Sequence, residues 1–299
     1  MEKISFYDQI SRNKRDSILL VIAVFVFLTL IIYTIGELYD PAISFLFLVI
    51  ALVITCVHIF VSYNYGDSIV LRSVNAQPAD ERRHAYLINT VEGLAIAAGV
   101  PTPKVYVIDS PEMNAFATGK DPQHASIAVT TGLLSNLNRS ELEGVIGHEM
   151  SHVRNYDIRF ATLVAVLVGL VAIISSLFVR SFWFRGGSRE ERRGGGILIL
   201  LMVIGFILAI FAPLFTRLVQ AMISRRREYL ADASSAELTR YPDGLANALE
   251  KIKNVNRGKM PVSEAVSHLF FVDPTKSALD SLFATHPPID ERIKILRSM

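Results

Sequence analysis

The sequence predicts a mainly α-helical membrane protein with a small β-sheet, and three observations lead there. About half of the 299 residues (51%) are apolar and the mean hydropathy is positive, more than an ordinary soluble domain carries. Four apolar runs reach the roughly 20 residues that a helix needs to cross a bilayer. They are Ser17 to Ile35, Pro41 to Val61, Ala161 to Val179 and Gly195 to Phe215. Strand-like patterning is confined to a short stretch between the second and third runs.

The chain divides accordingly into an N-terminal membrane hairpin (1–61), a first soluble part (62–160), a second apolar hairpin (161–216) and a second soluble part (217–299). The first run follows a basic segment with Lys3, Arg12, Lys14 and Arg15 and has no small-residue cleavage site after it, so it reads as a retained anchor. Basic flanks favour the cytoplasmic side, whereas the connector "GELYD" carries Glu37 and Asp40. The first hairpin therefore has its tip outside, and residues from about Ser62 to Arg159 are expected in the cytoplasm. The loop "RSFWFRGGSREERRGGG" opposes the rule, with five arginines against two glutamates. Whether or not runs three and four cross fully, a pair returns the chain to the side it left.

In the first soluble part, "HAYLINTVEGLAIAAG" has helical spacing and stops at Gly99, with Pro101 and Pro103 beyond. "KVYVID" reads as a strand, and "NAFATGKDPQHASIAVTTG" as two strands joined through Gly119 and Pro122. Ser140 and Glu143 in "SELE" have capping-box spacing and are expected to start the next helix. The second soluble part reads as helices interrupted by a polar segment near Lys259 to Ser277.

That next helix holds "GHEMSH". His148 and His152, four residues apart, lie on one helical face and can share one metal ion. Glu149 projects beside such an ion, placed to take a proton from water and later give it to a leaving amine. A zinc ion in such a site brings the pKa of water toward about 7. A chance match to His-Glu-x-x-His occurs in roughly one per cent of chains this long, so a solvated helix face is the plainer alternative. The third ligand decides between them. Asn155 and Ile158 stand where a metzincin would need Gly and His, so it must come from elsewhere.

Glu228 in "RRREYLADASSAE" is the best candidate, with Asp232 one turn on to accept a hydrogen bond from a ligand histidine. The alternative is that both acids only balance Arg225, Arg226 and Arg227. Topology favours the ligand reading, because Glu228 returns to the side of His148 however runs three and four lie. His58, His84, His124 and His268 have no ligand-like spacing and read as structural or surface residues. His286, in "THPPIDER", reads locally as an oxyanion donor or a plain loop residue. Cys56, the single cysteine, lies in an apolar run, so no intramolecular disulfide is possible. The formal charge of +2 says little about partners, and no long basic tract with interleaved aromatics suggests nucleic acid.

These motifs resemble the HtpX-type membrane zinc metalloproteases, relatives of the CAAX prenyl proteases, over nearly the whole chain. The resemblance implies a gluzincin-like fold on about four membrane helices. It also implies one zinc ion held by His148, His152 and Glu228, with Asp232 behind a histidine. "NAFATG" is similar to the family's edge strand, so Asn114, Ala115 and Phe116 would pair with an extended substrate. "HPPIDER" is similar to a His-Pro segment whose histidine, here His286, helps stabilise the oxyanion, and whose arginine, here Arg292, orients the site. The implied activity is endoproteolysis of misfolded or damaged membrane proteins in the cytoplasmic (inner) membrane, in stress response, with the site facing the cytoplasm.

Two other readings remain. A non-catalytic scaffold with structural zinc would usually supply four protein ligands, often cysteines. A transporter would carry ionisable residues near the middle of its spans, which apart from His58 offer almost none.

Overall fold

The computed structural model describes residues 6–167, 225–256, 260, 262–272, 274 and 287–299. Most of the third apolar run, the arginine-rich loop, the whole fourth run and His286 lie outside these residues. The described chain is mostly helical, with one four-stranded mixed sheet.

Helix α1 (Phe6–Tyr39) and helix α2 (Ser44–Ser73) form an antiparallel hairpin. The link between them is short: Asp40 Oδ1 accepts from the Ala42 N–H at 2.9 Å and caps a 3-10 turn, Pro41–Ile43. Both helices are long and apolar enough to cross a membrane, and only 18% and 11% of their most apolar windows are buried. Core helices of a soluble protein would be mostly covered. Here Phe45, Phe60 and Ile18 are 73%, 62% and 60% exposed, and a lipid phase is the environment that suits them. The face of α1 that is covered, Leu20, Val24 and Leu28, packs against Phe160, Leu163, Val164 and Leu167 of a helix visible over 157–167.

Helix α2 does not stop where its apolar run stops. It continues to Ser73, twelve residues past Val61, because Val70 and Leu71 are buried against Ile108, Phe116 and Ala128 of the sheet. The membrane hairpin is thus joined to the soluble part by continuous helix.

The strands are β1 (Gln77–Pro78), β2 (Lys104–Ile108), β3 (Ala115–Gly119) and β4 (Ala125–Thr130), in the order β1-β2-β4-β3. β2 and β4 run parallel, while β3 and β4 form the expected hairpin, with Ala115 opposite Val129 and Phe116 opposite Ala128. Helix α3 (Ala85–Ala98) ends where Gly99 adopts φ +69°, the left-handed conformation a glycine reaches without a Cβ clash. After α4 (Thr131–Asn136) comes α5 (Arg139–Arg154), then α6 (157–167). The capping box at α5 corrects the sequence expectation. It is Asn138 with Glu141, not Ser140 with Glu143: Asn138 Oδ1 accepts from Glu141 N–H at 3.0 Å, and Glu141 Oε2 accepts from Asn138 N–H at 2.8 Å.

From residue 225 onward lie α7 (Arg225–Thr239), α8 (Pro242–Val255), the short α9 (Glu264–Ser267) and α10 (Ile289–Leu296). The stretch read as a polar segment behaves otherwise: Val266, Leu269, Phe270 and Phe271 are buried, and Phe270 meets Phe116 edge-on at 4.9 Å. The main core joins α3, α5, α8 and α10 to one face of the sheet.

Helix α5 is held close to α8 at Gly144. A Cβ there would lie 2.6 Å from the Leu245 backbone nitrogen, and backbone cannot swing aside. Gly144→Ala is therefore expected to destabilise the fold by about 1–3 kcal/mol, seen as a lower midpoint of thermal unfolding in detergent. An unchanged midpoint would mean that the two helices are not packed at this distance.

Candidate active site

Helix α5 is buried along most of its length, including His148, Glu149 and Ser151. Helix α7 crosses it at small residues. A Cβ on Gly147 would meet Ser235 Oγ at 2.9 Å, and the Ser235 hydroxyl donates to the Gly144 carbonyl at 2.6 Å. That close approach brings Glu228 to the two histidines. His148 Nε2 and His152 Nε2 are 3.2 Å apart, and Glu228 oxygens lie 3.6 Å from the first and 3.7 Å from the second. Among the described residues these three form the group that could hold a metal, with donor atoms within 4.8 Å of one another. Donors on a tetrahedral zinc at about 2.0–2.1 Å stand roughly 3.3 Å apart. The donor set, two imidazoles and a carboxylate, therefore fits zinc in both chemistry and spacing.

Behind His148 is a buried ion pair. Asp232 Oδ1 lies 2.9 Å from His148 Nδ1, which leaves Nε2 to face the metal position. Arg292 grips the same carboxylate with two bonds, Nε to Oδ2 at 2.8 Å and Nη2 to Oδ1 at 2.7 Å. Burial alone would raise the Asp232 pKa, but Arg292 and His148 outweigh it and hold it at about 2. Arg292 is 1% exposed and stacks over Phe271 at 4.7 Å. The arginine six residues after His286 thus lies against Asp232, behind His148.

His152 has its own acid. Asp157 Oδ2 lies 3.1 Å from His152 Nδ1. Burial disfavours the imidazolium, but Asp157, Glu228 and Glu149 outweigh it and raise the His152 pKa to about 9.

Glu149 lines a small cavity together with His148, His152 and Glu228, and Phe160, Leu269, Phe270 and Phe271 form part of its wall. His268, read from sequence as structural or surface, is buried in the wall of that cavity, with Nε2 3.2 Å from the Ala161 carbonyl oxygen. Strand β3 is the sheet edge beside the site. Its first residues are engaged by the chain itself: the Phe271 N–H donates to the Ala115 carbonyl at 2.8 Å. The Asn114 side chain bonds both the Val272 carbonyl, at 2.7 Å, and the Val272 N–H, at 3.2 Å. Phe116 is fully buried under Phe270.

The model of peptidase family M48 matches residues 81–299. The chain belongs to that family. Over its full length it is 46% identical to a protease HtpX homolog of Caldanaerobacter subterraneus subsp. tengcongensis, covering 99% of it. A protease HtpX homolog of Streptococcus pyogenes serotype M28 is 45% identical over 298 residues, 98% of this chain and 99% of that one. The crystal structure of S. mikatae Ste24p shares the fold at a TM-score of 0.50 and 21% identity, over 89% of this chain and 62% of that one. The M48 chain is accordingly a membrane metalloprotease. The scaffold alternative is not favoured, since Cys56 sits exposed on α2 and Glu149 lies inside the site.

A metal ligand must be unprotonated, so a metal held at this donor set would compete with the proton that the raised pKa of about 9 favours on His152. Zinc affinity in chelator competition is therefore expected to rise by roughly tenfold per pH unit through the neutral range and to level off near the His152 pKa. A flat profile would show that His152 is neutral before metal arrives.

Proposed function

We propose that this M48 chain is a multi-pass zinc endopeptidase of the cytoplasmic membrane. One zinc ion per chain is held by His148, His152 and Glu228, and polypeptides, including misfolded or damaged membrane proteins, are cut on the cytoplasmic side. The observation that carries this is the meeting of three donors from α5 and α7 beside Glu149. The basic N-terminal flank and the acidic Glu37 and Asp40 at the hairpin tip support the orientation. Runs three and four, as a second hairpin, return Glu228 to the same side, which gives about four membrane helices and soluble parts at 62–160 and 217–299.

Held by His148, His152 and Glu228, zinc would supply Lewis acidity at this position. The Glu149 carboxylate takes a proton from the attacking water as its oxygen adds to the carbonyl carbon. The same proton then goes to the departing amine as the C–N bond breaks, leaving Glu149 a carboxylate again. His286 is proposed as the oxyanion donor, on its resemblance within "HPPIDER". Asp232 and Arg292 hold His148 in the tautomer that presents Nε2.

Substrate is proposed to lie along β3 at Asn114, Ala115 and Phe116, adding a strand to the sheet. Phe271 and Val272 occupy the Asn114–Ala115 end of that edge, so a substrate strand pairing there would displace them.

Glu149→Gln tests the chemistry. Purified variant should keep about one zinc per chain while cleavage of an unfolded model protein falls by about 10²–10⁴-fold. Cleavage that survives would rule out Glu149 as the base.

A further inference from the structure

Each histidine of the donor set is backed by a buried acid, but the two acids are reached in different ways. Asp232 sits one helical turn from Glu228. Asp157 is five residues after His152, which is no helical spacing, and it reaches His152 because the chain turns between α5 and α6. Tyr156 adopts φ +60° at that turn, a left-handed conformation that costs a non-glycine residue about 1–2 kcal/mol. Such strain persists only where the surroundings hold it. Here Lys14 of α1 lies over the Tyr156 ring at 4.3 Å.

The other oxygen of Asp157 is held from the membrane hairpin. Asn13 of α1, 1% exposed and one turn before the first apolar run, donates from Nδ2 to Asp157 Oδ1 at 2.6 Å and to the Asn155 carbonyl at 2.8 Å. Asn13 is itself anchored, since its carbonyl accepts from the Ser17 hydroxyl at 2.8 Å. Arg227, next to Glu228, lies 3.8 Å from Asp157 Oδ1 and 3.6 Å from Asp16 of α1. A chain of buried polar contacts thus runs from α1 through Asp157 to His152. A buried asparagine and aspartate brought together across 144 residues cost desolvation unless they are paired, and here both are.

We propose that Asp157 is the positioning residue of His152 and that Asn13 completes it. In this arrangement the first membrane helix sets the orientation of a metal-ligand imidazole in the soluble part. His148–Asp232–Arg292 and His152–Asp157–Asn13 are then two parallel supports, and only the second reaches into the membrane hairpin. The proposal rests on the zinc-site reading above.

The test uses full-length protein in detergent, with zinc affinity read by chelator competition and folding by thermal unfolding. Asp157→Ala and its isostere Asp157→Asn are expected to weaken zinc binding, by about 10–100-fold for the alanine. Asp157→Glu, which restores a carboxylate, should recover part of the loss, a rescue that a residue needed only for packing would not give. Asn13→Ala should weaken zinc binding less, and the Asn13→Ala/Asp157→Ala double variant should bind no more weakly than Asp157→Ala alone. Zinc affinity in folded Asp157→Asn and Asn13→Ala within twofold of the parent would overturn the proposal. Additive losses in the double variant would overturn the part assigned to Asn13. Glu228→Gln measured alongside separates the two readings. If it too binds zinc normally, the zinc site itself is misassigned; if it alone loses zinc, only the role of Asp157 and Asn13 fails.

Discussion

The site depends on one helix crossing. α5 carries both histidines and α7 the glutamate, and they meet at Gly147 and Ser235, where any side chain beyond a hydrogen atom on residue 147 would press on the serine. The Ser235 hydroxyl bonds the Gly144 carbonyl of α5 at 2.6 Å, so the crossing is fixed by a hydrogen bond as well as by shape. Donor atoms 3.2 to 3.7 Å apart follow from that. The donor set is thus assembled from helices that lie some seventy residues apart in sequence and meet in space.

Bringing imidazoles and carboxylates together out of water costs desolvation, and the structure offsets it by pairing. Asp232 is matched by the bidentate Arg292, Asp157 by Asn13 and Arg227. These outer contacts also decide which nitrogen of each imidazole faces the donor cluster, because both Nδ1 atoms are directed to carboxylates and both Nε2 atoms face inward. The same carboxylates favour a proton on His152, and a metal at this donor set would compete with it for one place. Phe270 and Phe271 form part of the wall beside this cluster, in which His148, Glu149 and Glu228 are buried.

Residues in local register were legible in the sequence. His148 and His152 share a helical face by their spacing, Glu228 and Asp232 share another, and Gly99 and the β3–β4 hairpin carry plain local signals. What escaped depends on tertiary contact. Asp157 has no periodic relation to His152 and reaches it through a left-handed Tyr156, a conformation that tyrosine does not advertise. Asn13 is polar near the start of an apolar helix and reads as a flank, until its partner 144 residues away is known. The α5 cap moved from Ser140 to Asn138 because two acids, Glu141 and Glu143, both stand at capping-box spacing, and only Glu141 turns inward, where Lys251 of α8 reaches it at 2.7 Å. Residues 269–272 fall inside the stretch read as polar, near Lys259 to Ser277, yet they are apolar, and Leu269, Phe270 and Phe271 line the site.

The central claim is that two imidazoles and one carboxylate, brought together by the α5–α7 crossing, form a single zinc site with no sulfur ligand. X-ray absorption at the zinc edge of the purified full-length protein, loaded with one equivalent of metal, tests it most directly. The account predicts a first shell of nitrogen and oxygen donors at about 2.0–2.2 Å, with outer-shell scattering from two imidazoles. A zinc–sulfur distance near 2.3 Å, or scattering from a single imidazole, would contradict it.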